Sequence, residues 1–201
     1  MAATSVSGAA GLARLVKDIR ACRICADILE PHPVLQVSHT ARLMIASQAP
    51  GLRVHKTGLT FNDASGDRLR DWMGVDRATF YDASKVAVTG MAFCFPGYDE
   101  NGGDLPPPKI CAQHWRARLM EALPAFKLIL LVGSYAQTWH LGERAKSNMT
   151  ETVKAWRDYA PRYIPLPHPS WRNNGWLKKN PWFERDLLPV LRKSVRRSLS
   201  S

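Results

Sequence analysis

The chain has 201 residues, a length that fits one domain with a full core and not two. Its 45% hydrophobic and 22% charged content is that of a globular protein and excludes disorder, collagen and coiled coil. Lys and Arg number 28 against 17 Asp and Glu, and the net charge of +11 points to a polyanionic partner, nucleic acid before an anionic membrane surface.

No stretch approaches the roughly 18 consecutive apolar residues of a membrane span. The longest apolar run, Leu128 to Val132, is the length of a strand. The N-terminus has no uninterrupted apolar core behind a basic start, so no secretory signal is expected and the protein is assigned to the cytoplasm. The four cysteines then read as thiols, metal ligands or redox groups rather than disulfides. One monomeric domain is expected over residues 1–201, with a basic tail from about residue 192 and no membrane partner.

In chain order, Ala9 to Ala21 reads as a helix, with Leu12, Leu15, Val16 and Ile19 on one face and Lys17 and Arg20 on the other. Arg42 to Ala46 reads as a buried strand. Asp63 to Met73 opens with Asp and Ser cap candidates and carries Leu69, Trp72 and Met73 at helical spacing. Val86 to Gly90 is a second strand. Pro108 to Leu123 is a helix with prolines at its start, where a missing N–H costs little. Lys127 to Val132 is a third strand, followed by a short helix over Tyr135 to Leu141. Tyr163 to Leu166 is a fourth strand, and Pro181 to Arg196 a terminal helix.

Strands alternating with helices predict an α/β fold whose parallel sheet is covered on both faces. The loops leaving the strands carry the unusual residues: SQAPG, TGMAFC, VGSYA and PHPS. Ligands of such sheets bind outside the carboxyl ends of the strands, so these loops are the place to look for a site. The Gly- and Pro-rich segment from Phe95 to Pro108 reads as an extended surface loop.

Neither GxxxxGK(S/T) nor GxGxxG after a strand is present, which leaves P-loop and dinucleotide folds unsupported. Cys22 and Cys25 form a CxxC clamp, able to reach one metal from a single turn of backbone, and Cys94 and Cys111 could close a four-thiolate site. From spacing alone, Cys94 and Cys111 read equally well as buried small hydrophobes, and zinc would also suit four thiolates. Gln48 and its neighbours sit in a Pro-Gly turn whose amides are free to face a ligand, although such a turn is commonly a plain connection. His168 is held between two prolines at the end of the fourth strand, a costly way to build an ordinary turn.

The ordered set of these motifs resembles the uracil-DNA glycosylase superfamily, most closely its iron–sulfur (family-four) branch. That branch opens with a CxxC, places a GE(A/Q)PG turn after its first strand and continues through a TGxPF segment. Here the matching stretches are Cys22 with Cys25, Ser47 to Gly51, and Thr57 to Phe61. Cys94 and Cys111 stand where the branch has its remaining cluster ligands, and His168, Pro169, Ser170 and Arg172 match its second motif. The resemblance runs from about Cys22 to Leu191.

It implies a three-layer α/β/α fold with a central four-stranded parallel sheet, a structural 4Fe–4S cluster on the four cysteines, and hydrolysis of the N-glycosidic bond of a uracil flipped out of DNA. His168 would stabilise the departing base anion, Phe61 would stack on the base, and amides at Gln48 and Ala49 would hold its edge. Ser170, Trp171 and Arg172 would press on the strand, with Trp171, Asn173, Asn174 or Trp176 as wedge. Lys178 and Lys179, interleaved with Trp176 and Trp182, extend a basic and aromatic surface suited to DNA.

The chain departs from the branch at two places. Gly90 stands where the branch has a base-pairing Asn, which leaves base selectivity open, with Asn62 a partial substitute. Gln48 and Ala49 supply no carboxylate in the first motif, so Asp63 becomes the candidate for the water, although it reads equally well as a helix N-cap. The sequence thus predicts a monofunctional DNA glycosylase for a deaminated or modified base. The alternatives are a DNA-binding or damage-sensing protein that kept the fold without the hydrolysis, and a zinc-stabilised nucleic-acid module.

Overall fold

The structure is a computed structural model that describes residues 8–200; the first seven residues, part of the stretch read above for a secretory signal, lie outside it. Four short strands form one sheet: β1 (Leu43–Ser47), β2 (Val86–Gly90), β3 (Ile129–Val132) and β4 (Tyr163–Leu166), in the order β2-β1-β3-β4. Every pairing is parallel, with Ile45 opposite Val88 on one side and Leu130 on the other, and Leu130 opposite Ile164. The strands are buried on both faces, which is why they read as unbroken apolar runs with no alternation.

Successive side chains still divide between two cores. Leu43, Ile45, Val86, Val88, Leu130 and Val132 face a layer built from α3 (Ala64–Met73), α4 (Arg77–Tyr81), α7 (Met149–Lys154) and α9 (Leu188–Leu199). Met44, Ala46, Ala87, Ile129 and Leu131 face α1 (Ala9–Arg20), α5 (Lys109–Ala122) and α6 (Ser134–Leu141). This is the three-layer α/β/α arrangement with a four-stranded parallel sheet. No helix among the described residues is long and apolar enough to cross a membrane.

The short helices α2 (Leu52–Thr57), α4, α7 and α8 (Asn174–Lys179) carry too few turns to show a period in the sequence. The C-terminal region also differs from expectation. A π-turn, Phe183–Leu187, precedes α9, and the helix runs on to Leu199 with Val195 and Ser198 buried. The stretch expected as a basic tail is therefore helical to Leu199, and Arg192 within it donates to the Asp71 carbonyl at 3.1 Å.

Candidate active site

All four strands point the same way, so the loops after them emerge at one edge of the sheet. Those after β1, β2 and β4, with the 98–104 loop, line a cleft of about 720 Å³, within the usual size of a small-molecule pocket. Gln48, Ala49, Phe61, Asp63, Gly90, His168, Ser170, Trp171 and Arg172 all border it. The loop after β3 does not; Ser134 and Tyr135 lie instead along a separate apolar groove with Met91 and Pro106.

His168 follows β4 directly. Its Nδ1 accepts the Ser170 amide at 3.2 Å, and its carbonyl accepts Asn173 Nδ2 at 2.7 Å. An accepting Nδ1 places the ring proton on Nε2, so the imidazole is a donor on its other side. Burial pushes its pKa below the ordinary histidine value, while Asp63 and Asp104 pull the other way. The ring is neutral at physiological pH and still carries one N–H to donate, the state suited to stabilising an oxyanion.

Phe61 faces His168 across the cleft, the two rings 28° from parallel with centroids 6.5 Å apart. It is the one non-glycine residue with positive φ among those described, at 50°, a conformation that an aromatic residue adopts only when held there. The restraints are visible. Its carbonyl accepts Tyr81 Oη at 3.2 Å and the buried Arg70 at 3.3 Å, and Arg70 is itself fixed by Asp67 at 2.6 Å. Gly66 closes the other side: a Cβ there would collide with the Phe61 carbonyl oxygen, so α3 can approach only through a glycine.

Asp63 is the N-cap of α3, its Oδ1 accepting the Gly66 amide at 2.9 Å, and it also borders the cleft. The capping and cleft readings are therefore both true of its position. Gly90 lies at the floor. A Cβ on it would collide with the Ala92 carbonyl, because the chain turns back at once: Met91 N and Ala92 N both donate to the Gln48 carbonyl, at 2.8 and 3.0 Å. No side chain fits at this point of the pocket.

Three expected residues are not brought into the cleft. Asn62 turns outward, accepting from Arg77 at 3.1 Å and donating to Thr57 at 3.4 Å. Lys178 and Lys179 are exposed on α8 and do not border it. Of the tryptophans, Trp176 and Trp182 pack on Phe183 with centroids 5.6 and 6.4 Å away, as core residues do. Trp171 alone stands out at the rim, 69% exposed, with Arg172 stacked over it at 5.2 Å.

The structure adds residues that no motif signalled. Arg68 on α3 donates to the Ser170 carbonyl at 3.1 Å and ties the His168 loop to the Phe61 side. Arg53, Tyr98 and Asp104 border the cleft. Asp104 is exposed at the rim, and partial desolvation raises its carboxyl from the ordinary aspartate value, opposed by His168 and Arg172 and reinforced by Asp63 and Asp99. Thr60 lies beside the cleft with its hydroxyl buried and unpartnered.

The four cysteines also converge, away from this cleft. Cys22 and Cys25 after α1, Cys94 after β2 and Cys111 in the first turn of α5 line one pocket, closed by Ile19, Leu29, Phe93 and Trp115. Trp115 Nε1 donates to Cys22 Sγ at 3.3 Å. Burial pushes Cys94 up to about 11 and Cys111 up to about 12, and the neighbouring cysteines raise both further. Thiols raised as far as Cys94 and Cys111 ionise at neutral pH only against a cation. Among the described residues no group of three or more His, Cys, Asp and Glu is arranged to hold one metal ion. One turn beyond, Arg116 is fully buried, bonded to Thr89 Oγ1 at 2.5 Å, the Gly90 carbonyl at 3.2 Å and His140 Nε2 at 2.6 Å. It links the cysteine helix to the cleft floor.

The sequence model of the uracil DNA glycosylase superfamily matches residues 35–192. The chain belongs to that superfamily.

Proposed function

We propose that this superfamily member is a monofunctional DNA glycosylase, nearest the iron–sulfur branch, that removes uracil or a related deaminated or modified base from DNA and leaves an abasic site. The observation that carries this reading is the pairing across the cleft of Phe61, locked in a strained backbone, with a neutral His168 whose Nε2–H is the free donor. A base drawn out of the stack rests on Phe61, and the charge that collects on its O2 as the bond breaks is met by His168. Asp63, fixed to the helix end, supplies negative charge where the sugar becomes positive or orients the water. None of the cleft-bordering residues is a lysine, which favours direct hydrolysis over a covalent amine intermediate.

Arg172 and Arg68 support the His168 loop, and Trp171 is the wedge best placed to fill the gap left by the extruded base. The fixed backbone at Gly90 leaves the pocket without a side-chain amide at its floor, which favours a wider range of bases than uracil alone. The net charge of +11 suits a protein that works on DNA, and we take it to act as a monomer in the cytoplasm.

We further propose that Cys22, Cys25, Cys94 and Cys111 hold a 4Fe–4S cluster. Four thiols around one pocket, two of them from a CxxC, are the donor set such a cluster uses, with zinc the alternative. Such a cluster supplies structural cross-linking of α1, β2 and α5 and takes no part in the hydrolysis.

The test is incubation of pure protein with single- and double-stranded oligonucleotides carrying uracil, hypoxanthine, xanthine or hydroxymethyluracil, followed by alkaline cleavage at abasic sites. Strand scission at one of these bases supports the reading. DNA binding with no scission on the whole panel would instead leave a damage-sensing protein.

A further inference from the structure

The glycosylase reading so far gives the attacking water a single candidate carboxylate, Asp63. Asp63 Oδ1 is engaged by the Gly66 amide as the N-cap of α3, which fixes its position. A second carboxylate, Asp104, borders the same cleft, on the loop between β2 and α5.

That loop is built to present it. Leu105 N donates to the Gly97 carbonyl at 3.0 Å, and Tyr98 pairs with Asp104 as a one-residue antiparallel bridge. Asp99 is consumed by the loop itself, its Oδ1 accepting Asn101 N at 2.9 Å and Gly103 N at 2.8 Å. A Cβ on Gly103 would stand 2.8 Å from Asp99 Oδ2, so a larger residue there would displace that carboxylate. The tip is then tied across the cleft by Arg172, which donates to the Gly102 carbonyl at 2.8 Å. Asp99 shapes the turn, Arg172 pins it, and Asp104 remains at the cleft mouth.

An acid in this place works against binding, because a phosphodiester strand must pass it. The groups facing it are His168 on the β4 loop, Asp63 at the start of α3, Arg172, and Asp99 on its own loop. At the exposed rim of the cleft, within electrostatic reach of His168 and Asp63, the carboxylate is placed to meet a water entering the site.

We propose that Asp104 is a second catalytic carboxylate, the general base for the water, while Asp63 counters the charge on the sugar. This rests on the glycosylase reading. In the step, the C1′–N bond breaks and its electron pair leaves on the base, held at His168 Nε2–H. The water oxygen bonds to C1′, and the water proton passes to the Asp104 carboxylate. The raised pKa of Asp104 places the acidic limb of the rate profile above that of an ordinary aspartate.

The experiment is single-turnover cleavage, across pH, of whichever base the panel identifies, by wild type, Asp104→Asn, Asp63→Asn and His168→Ala. Binding of each to the same duplex with a tetrahydrofuran abasic analogue is measured alongside. Asp104→Asn is expected to slow cleavage by about 10²–10⁴, the span of general-base catalysis. It should also lose the acidic limb and bind the abasic duplex more tightly, because a charge that repels phosphate has gone. Asp63→Asn should cleave slowly but keep the limb. Cleavage by Asp104→Asn at the wild-type rate overturns the assignment and leaves the glycosylase reading intact. Weaker binding together with a lower melting temperature would make Asp104 a structural loop residue, which also overturns it. Asp104→Ser repeats the test if the Asn variant does not fold. Wild-type protein that cleaves nothing on the panel overturns both readings.

Discussion

The backbone amide of Ser170 donates to Nδ1 of His168 at 3.2 Å, two residues along the loop that leaves β4. The bond fixes the tautomer that leaves Nε2–H free, and burial keeps the ring neutral below the pH at which a solvated histidine would charge. Removing one preorganised donor of this kind costs about 10²–10³ in rate. His168→Ala is therefore expected to lose that factor in single-turnover cleavage. Its affinity for abasic-site DNA should stay close to wild type, because phosphate contacts come from other residues. Equal rates for the two proteins would remove His168 from the chemistry.

Gly90 gives a prediction of the opposite kind, in which restoring the residue of the iron–sulfur branch does harm. The Ala92 carbonyl occupies the place of a Cβ, and the Gln48 carbonyl stands 3.3 Å from it. Gly90→Asn is expected to destabilise the fold by roughly 1–3 kcal/mol, as overpacking does, and to confer no preference for uracil. Urea melts of the two proteins measure the first, and the substrate panel the second. Wild-type stability in the Gly90→Asn protein would show that the β2 turn can open.

The cysteine pocket predicts a stability linked to iron. Each thiol of Cys94 and Cys111 resists ionisation, with pKa values pushed up to about 11 and about 12, so the pocket without a cation holds neutral thiols. Cys111→Ser should lower bound iron and the brown absorbance and reduce the melting temperature, with little direct effect on the rate of the folded fraction. Trp115→Phe removes the 3.3 Å donor to Cys22 and should speed cluster loss to a chelator. Zinc and no iron, found by elemental analysis of anaerobically purified protein, would reassign the site.

How far the sequence carries depends on the range of the interactions. β2 and β4 fall at Val86–Gly90 and Tyr163–Leu166, as expected, because doubly buried strands are continuous apolar runs bounded by turns. Asp63 is legible as a cap and as the candidate base for the water; it caps α3 and borders the cleft. What stays hidden depends on contacts distant in sequence. Asn62 is drawn away by Arg77, fifteen residues on, and the loop that carries Asp104 to the cleft is tied in part by Arg172, seventy residues from Gly102. Gly66 and Gly90 look like ordinary small residues until the carbonyls pressed against them are known. Trp176 and Trp182 read as DNA-facing from their basic neighbours, and it is their packing on Phe183 that assigns them to the core.

Arg172 has two loads, stacking on Trp171 at the rim and bonding Gly102. Arg172→Met is expected to weaken binding to all DNA sequences about equally and to reduce the slope of log K against log salt by about 1, the loss of one phosphate contact. It should also slow cleavage through the released 97–105 loop, whereas Lys178→Met, exposed on α8, should alter the salt slope alone. Titration of a labelled duplex between about 50 and 200 mM salt, run on each protein, separates the two.

Acid stability depends on His140. Arg116 donates to its Nε2 at 2.6 Å, and burial, then Arg116, then Arg162 push its pKa down to about 3. An unfolded histidine titrates near about 6.5. The folded pKa is therefore the lower one, and the sign follows: above about pH 6.5 neither state binds the proton and the stability is fully present. As pH falls below that, the unfolded state takes up a proton that the folded state refuses, and stability declines until the folded ring charges near pH 3. His168, also depressed by burial, adds a decline of the same sign. His140→Gln keeps an acceptor for Arg116 without a titrating ring. It should flatten the dependence of unfolding free energy on pH between about 6 and 4 by up to about 1.4 kcal/mol per pH unit, the full contribution of one proton. Urea unfolding at half-unit steps of pH gives the slope. Superimposable slopes for wild type and His140→Gln would mean that the ring charges freely in the folded protein and that Arg116 is not held beside it.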